Sequence, residues 1–281
     1  MKIKFSVLVF MVSMFTLSGQ SPFPNKNEIT QFMASKTCVV LEADAFSFYN
    51  AYIKRAVEAY WNITPYEFID MDEFSVRQND STYSFIMLTQ TNYEKDKANT
   101  EFNFLNLLQG KKVDELREMP EICAIPLSFA DEEDTEYGYK FGAILRFMQN
   151  HARMIFENPL LTGRQYLKYY NANIPKIKQK TLLIKKEDLA SELSTLEKIK
   201  TIYPHKVEIV SEEDIAKAIT AKTPNTLILH KVGPMENKTA GLCFKMLIGV
   251  DDADMYYYHE HKLSKVNSNN LLPSDLKRMS K

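Results

Sequence analysis

Apolar and polar positions along the chain alternate with two periods, and the order in which they do so recurs. Lys36-Thr37 opens an apolar run through Leu41 that meets Asp44, and Lys180-Thr181 opens another through Ile184 that meets Asp188. The two Lys-Thr pairs lie 144 residues apart, as do the two Asp residues. Each run reads as a strand. Each Asp is expected to cap the helix that follows by accepting a bond from a first-turn amide.

The segments around these anchors repeat as well. Phe46, Tyr49, Ile53, Ala56, Val57 and Tyr60 stand at three- and four-residue spacings and predict a helix. Strands are predicted over 66–69, 83–89, 101–108 and 122–129, with short helices over 72–78 and 114–119 and a charged hairpin tip over 92–99. Pro126 marks the last of these strands as an edge or a bulge. In the second half, Leu189, Leu193, Leu196 and Ile199 form one helix face, and Ser211 with Asp214 makes a capping box. Strands over 206–210, 226–230, 242–248 and 255–261 follow, then a terminal helix over 273–281 with a basic, frayed end.

Between the copies, Tyr137, Phe141, Ile144, Leu145, Met148, Ala152, Ile155 and Phe156 mark a long amphipathic helix over 137–157. Its stripe is expected to lie on the sheet of the first unit, with His151 on the polar flank. Each unit therefore reads β-α-β-α-β-β-β-α. Helical crossovers make the first three strands parallel, and short hairpins make the rest antiparallel. The expected fold is α/β: two similar units, each a mixed sheet covered by helices. The boundaries are 1–19 for a leader, 20–158 for the first unit, 159–178 for a boundary segment and 179–281 for the second unit.

This element order resembles the small α/β domains of Gram-negative envelope assembly proteins, of the kind found in the curli-secretion lipoprotein and at the amino terminus of the Tol-system propeller protein. The resemblance implies a non-enzymatic role in the cell envelope and transfers no functional residue.

The amino terminus agrees with export. Lys2 and Lys4 precede an apolar run over 5–17, followed by Ser18 and Gly19, the layout of a secretory signal peptide. A spanning helix needs roughly 20 apolar residues, so no membrane span is expected. The first cysteine, Cys38, lies too far on for a lipoprotein signal. The expected product is periplasmic or secreted. Its three cysteines, Cys38, Cys123 and Cys243, sit in apolar runs and are expected to be buried and unpaired.

The net charge is −1, but its distribution is uneven. Residues 20–160 carry 13 basic and 22 acidic side chains, while 161–281 carry 20 basic and 14 acidic. Such asymmetry is a cue for interaction. It points to another envelope protein or an anionic surface as partner, and no nucleic-acid partner is expected.

Candidate chemistry is sparse. His259 and His261 lie two apart on a strand, so both imidazoles face one side, where they are positioned to share a metal with Asp251, Asp252 or Asp254. The acidic runs 131–134 and 251–254 lack the ligand alternation and turn glycine of a calcium loop. No nucleophile elbow, phosphate-binding glycine loop, H-E-x-x-H or C-x-x-C motif occurs, and no cofactor is expected. Tyr166, Tyr169 and Tyr170 beside the boundary offer an aromatic contact surface. Asn62, Asn79 and Asn237 stand in glycosylation patterns, which matter only in a eukaryotic secretory pathway. Three readings follow: a non-enzymatic binding or accessory protein, a metal enzyme centred on His259 and His261, and a small-molecule binder with its site between the units.

Overall fold

Lys36–Val40 and Thr181–Ile184 occupy equivalent places in two sheets of the same topology. The computed structural model describes residues 16–18, 22–44, 46–92, 100–130, 135–161, 165–234 and 240–281. Most of the expected leader, the 93–99 tip, the acidic run 131–134 and Asn237 lie outside the described residues.

The first unit comprises β1 (Thr16–Ser18), α1 (Lys26–Ala34), β2 (Lys36–Val40), α2 (Phe48–Tyr60), β3 (Tyr66–Ile69), α3 (Met71–Arg77), β4 (Tyr83–Asn92), β5 (Glu101–Gln109), β6 (Glu121–Phe129), α4 (Thr135–Gly138) and α5 (Phe141–Glu157). The second comprises α6 (Gln165–Asn171), β7 (Thr181–Ile184), α7 (Leu196–Lys200), β8 (Val207–Ile209), α8 (Glu212–Ala221), β9 (Thr226–Val232), β10 (Leu242–Gly249), β11 (Met255–Lys262) and α9 (Pro273–Met279). The sheets run β3-β2-β4-β5-β6 and β8-β7-β9-β10-β11, with β1 beside the far end of β4. In each, the first three strands are parallel and the last two antiparallel to their neighbours.

The expected caps are displaced. Ser47, not Asp44, caps α2 by accepting from the Asn50 amide. Asp44 instead accepts from the Phe46 amide and closes the preceding turn. Asp188 is buried at the end of a 3-10 turn, and the helix expected after it gives way to one further such turn, Ser191–Leu193, before Thr195 caps α7. The Ser211–Asp214 capping box forms as expected.

The long helix differs more. Its first turn separates as α4, and α5 then buries twelve of its seventeen residues. His151 is among them and Phe156 is exposed, so the sequence stripe was too narrow and ended one residue too far on. The cause is that α5 is covered on both sides. One apolar core contains Ile144, Leu145 and Met148 of α5, Val57 of α2, Leu105 and Ile125 of the first sheet, and Ile228, Phe244 and Met246 of the second. Phe102 and Phe244 meet edge to face at 5.3 Å across the junction.

Polar side chains of α5 finish the join. Gln149 accepts from the Asn62 and Ile63 amides and donates to Tyr60 O, fixing the end of α2. Arg146 donates to the carbonyls of Val250 and Asp251, and Asn150 to that of Asp252, which holds the β10–β11 turn. The terminal helix is no frayed tail either: Asp275, Leu276 and Met279 are buried.

Edge strands are closed by side chains. Asn171 donates to Tyr258 O and accepts from Tyr258 N on the outer edge of β11, and Asn173 donates to Met255 O. Strand β6 is an edge strand with a register shift beside Pro126, as that proline implied. Its edge turns inward, where Nε2 of His230 donates to Pro126 O at 2.8 Å and His151 bonds the Ile122 backbone. Nδ1 of His151 also bonds the Tyr170 hydroxyl. All three cysteines are buried and free.

Two tests follow from the shared core and the buried imidazoles. Phe244→Ala should cost about 3–5 kcal/mol. Unfolding followed by the fluorescence of Trp61, in the first unit, should shift together with circular dichroism; two separate transitions would show independent sheets. Burial pushes His151 down to about 4, and burial followed by the charge of Lys140 pushes His230 down to about 3. The unfolded chain therefore takes up protons first. Stability should be complete above about pH 6.5 and fall by up to roughly 1.4 kcal/mol per pH unit for each histidine below it. Urea titrations at pH 7.5, 6 and 5 measure this, and a His151→Gln, His230→Gln double variant should flatten the slope.

Candidate functional site

The order of the second sheet defines where a ligand site is best built. From β7 the chain leaves to β8 on one side, while β9 lies on the other and continues to β10. Adjacent parallel strands whose exits diverge leave a crevice at their carboxyl ends, where ligands of open α/β sheets bind. Lys185 follows β7 directly, Lys231 lies near the end of β9, and Gly233 follows it.

That crevice is present and both units build it. Phe129, Glu136 and Lys140 come from the end of β6, from α4 and from the α4–α5 turn, and Glu187, Asp188, Asn269 and Asn270 complete the wall. Its volume is about 200 Å³. Sites for drug-sized ligands span roughly 300–1,000 Å³, so this one suits a ligand of few heavy atoms.

Three ammonium groups converge here in partial or full burial. Lys140 is 3% exposed, and the side chains of Lys185 and Lys231 are 13% and 15% exposed. Lys140 and Lys185 flank the Tyr139 ring, 5.1 and 5.8 Å from its centre. Lys185 meets Glu136 at 3.6 Å and Glu212 at 3.4 Å, and Lys231 meets Asp188 at 3.5 Å. Charge-assisted bonds of this type are normally about 2.7–2.9 Å, as Lys180 shows with Asp252 at 2.8 Å. Burial works against the charge on Lys185, but Asp188, Glu136 and Glu212 outweigh it and raise its pKa. In the crevice, Lys185 and Lys231 thus keep their carboxylates at 3.4–3.6 Å.

Acceptors are present too. Asn269 donates through Nδ2 to Pro234 O, while its Oδ1 is buried with no partner. A side chain at Gly233 would lie 2.0 Å from that oxygen, so the glycine is what allows Asn269 to enter the wall.

The sequence-derived candidates lie elsewhere. His259 and His261 do share a face of β11, their rings stacked 6.4 Å apart. Nδ1 of His259 lies 3.1 Å from Asp275 and its Nε2 bonds Arg278, while Nε2 of His261 bonds Ser268 O. Asp251 and Asp252 bind Lys180, and Asn150 bonds Asp254. Among the described residues no three His, Cys, Asp or Glu side chains are arranged to hold a metal ion. Tyr170 is buried against Phe147 and His151, Tyr166 packs on Phe23 and His151, and Tyr169 is exposed. Sequence reasoning did not bring Lys140, Lys185 and Lys231 together. The available signal was the expected strand order, which places residues following β7 and β9 at a switch point.

No family model, curated protein or solved structure matches this chain. Among the described residues no helix is long and apolar enough to cross a membrane.

What His259 does serve is a buried charge cluster. Lys245 and Asp275 are both fully buried and paired, and Asp275 also accepts from Tyr257 OH and from the Leu272 amide. Burial opposes its ionisation, but His259 and Lys245 outweigh that and hold its carboxyl well below the usual range. Asp275→Asn would strand the Lys245 charge and should cost about 3–5 kcal/mol in urea unfolding. The variant should also lose less stability than the parent below about pH 4, because there the unfolded parent takes up a proton on this carboxyl that the folded protein resists. Equal stability of variant and parent at pH 7 would show that the cluster does not hold α9.

Proposed function

We propose that this chain is an exported, non-enzymatic binding protein. Its ligand is a small molecule bearing a carboxylate or phosphate, seated in the crevice between the units. The observation that carries this reading is the convergence of Lys140, Lys185 and Lys231 at the carboxyl ends of β7 and β9, with the carboxylates near Lys185 and Lys231 no closer than 3.4 Å. Lysine ammonium groups each offer three donors, and desolvated donors recognise an anion more strongly than exposed ones. Asn269 and Asn270 supply uncharged contacts that would orient the rest of the ligand. No nucleophile motif accompanies the lysines in the sequence, which favours binding over turnover. Export is supported by the expected leader, and an envelope role by the resemblance in element order.

The test is a thermal-shift screen of small carboxylates and phosphate esters, followed by calorimetry on any hit. A ligand at 100 times its Kd should stabilise the fold by about 2.7 kcal/mol. Lys185→Met and Lys231→Met should each weaken binding at least tenfold while circular dichroism stays unchanged. The reading fails if no anion of either class shifts the transition, or if both variants bind as well as the parent.

A further inference from the structure

A second basic pocket lies at the opposite, amino-end side of β9, and its chemistry is simpler. Arg146, Gln149, Asn150 and Arg153 of α5, Tyr60 at the end of α2 and Asn62 after it, Lys222 at the end of α8 and Ala253 in the β10–β11 turn surround about 140 Å³. Among the described residues none of Arg146, Arg153 and Lys222 makes an ion pair. Three cations held in one pocket with no carboxylate paired to them repel one another, and an anion relieves that repulsion.

The surrounding structure keeps them so. Asp252 borders the pocket, but its carboxylate is bound by Lys180 at 2.8 Å and by Tyr256 OH at 2.6 Å. Arg146 is held by the Val250 and Asp251 carbonyls, and Arg153 bonds the side-chain oxygens of Asn150 and Asn62 at 3.3 and 3.1 Å. Each guanidinium has five N–H donors, so these bonds orient the groups without exhausting them. Lys222 stands over the Tyr60 ring, 5.8 Å from its centre. It caps α8 at φ 48°, a left-handed position where glycine or asparagine is usual. A lysine held there at a conformational cost directs an ammonium group to the pocket rim.

We propose that this pocket binds a phosphoryl-type oxyanion, with Arg153 and Lys222 as its charged contacts and Arg146 as the anchor that sets the pocket floor. The volume admits one tetrahedral anion, not a nucleotide. Free phosphate and a phosphate headgroup on a membrane present the same chemistry, so the experiment separates them. Amide chemical shifts are followed while inorganic phosphate is added at low ionic strength, and sedimentation is measured with vesicles of phosphatidylglycerol in phosphatidylcholine. An Arg153→Gln, Lys222→Gln double variant is compared with Arg153→Lys, which keeps the charge, and with Lys185→Met, which touches only the crevice. Arg146 is left intact because it holds the β10–β11 turn.

Phosphate should shift the amides of Asn62, Asn150 and Lys222, with at least a tenfold loss of affinity in the double variant and none in Lys185→Met. Vesicle binding alone, lost in the same double variant, would assign the anion to a headgroup. The proposal is overturned if neither probe binds, or if the double variant binds both as the parent does.

Discussion

Everything in this fold depends on burying α5 from two sides at once. A helix on one sheet needs a single apolar stripe, and the opposite face stays polar. Here the first sheet and α2 cover one side, while Phe244, Met246 and Ile248 of the second sheet reach the same core. Apolar burial is worth roughly 25 cal/mol per Å² and has no directional preference, so it draws the sheets together without setting their angle. Direction comes from Gln149, Arg146 and Asn150, which bind the end of α2 on one side and the β10–β11 turn on the other. The uneven charge of the two halves contributes little by comparison. Between described residues one ion pair crosses the join, Lys185 with Glu136, and it is 3.6 Å long.

Both basic pockets are by-products of that arrangement. They lie along the join, one beside the α4–α5 turn and the other along the middle of α5. Both units contribute side chains to each, and α5 itself contributes to the second. Two buried polar groups elsewhere are bound within the fold: Asp275 by Lys245, Tyr257 and the Leu272 amide, and His151 by Tyr170 and the Ile122 backbone. Lys185 and Lys231 of the crevice and the cations of the second pocket are held less closely, and it is there that a ligand has something to gain.

The strand order was legible because each strand is short, apolar and closed by a clear turn signal. The 144-residue echo of Lys36-Thr37 in Lys180-Thr181 does pair β2 with β7. The caps were not legible. Asp44 and Ser47 are both good capping residues three apart, and the choice falls to Ser47, because Asn50 draws the chain back onto the Glu42 and Asp44 carbonyls. His151 was misplaced for a related reason. Periodicity places a side chain on a face of its helix but cannot show that a second sheet will cover that face. The candidate site was least legible of all, since Lys140, Lys185 and Lys231 belong to separate segments that only the join brings together. The His259–His261 pair was a real local geometry, and the structure binds it to Asp275, Arg278 and Ser268 instead.

Asn171 has an effect beyond the single chain. The outer edge of a sheet invites another strand, and in a protein held at high concentration that leads to chain-on-chain stacking. The carboxamide of Asn171 offers one donor and one acceptor in the spacing of a peptide group, and it occupies both backbone positions of Tyr258. Asn173 occupies another at Met255. The other outer edges, β3 and β8, are four and three residues long, too short to template a neighbour well. A crowded solution of this protein is therefore protected against fibril growth by two asparagine side chains and two stunted strands, with no reliance on net charge.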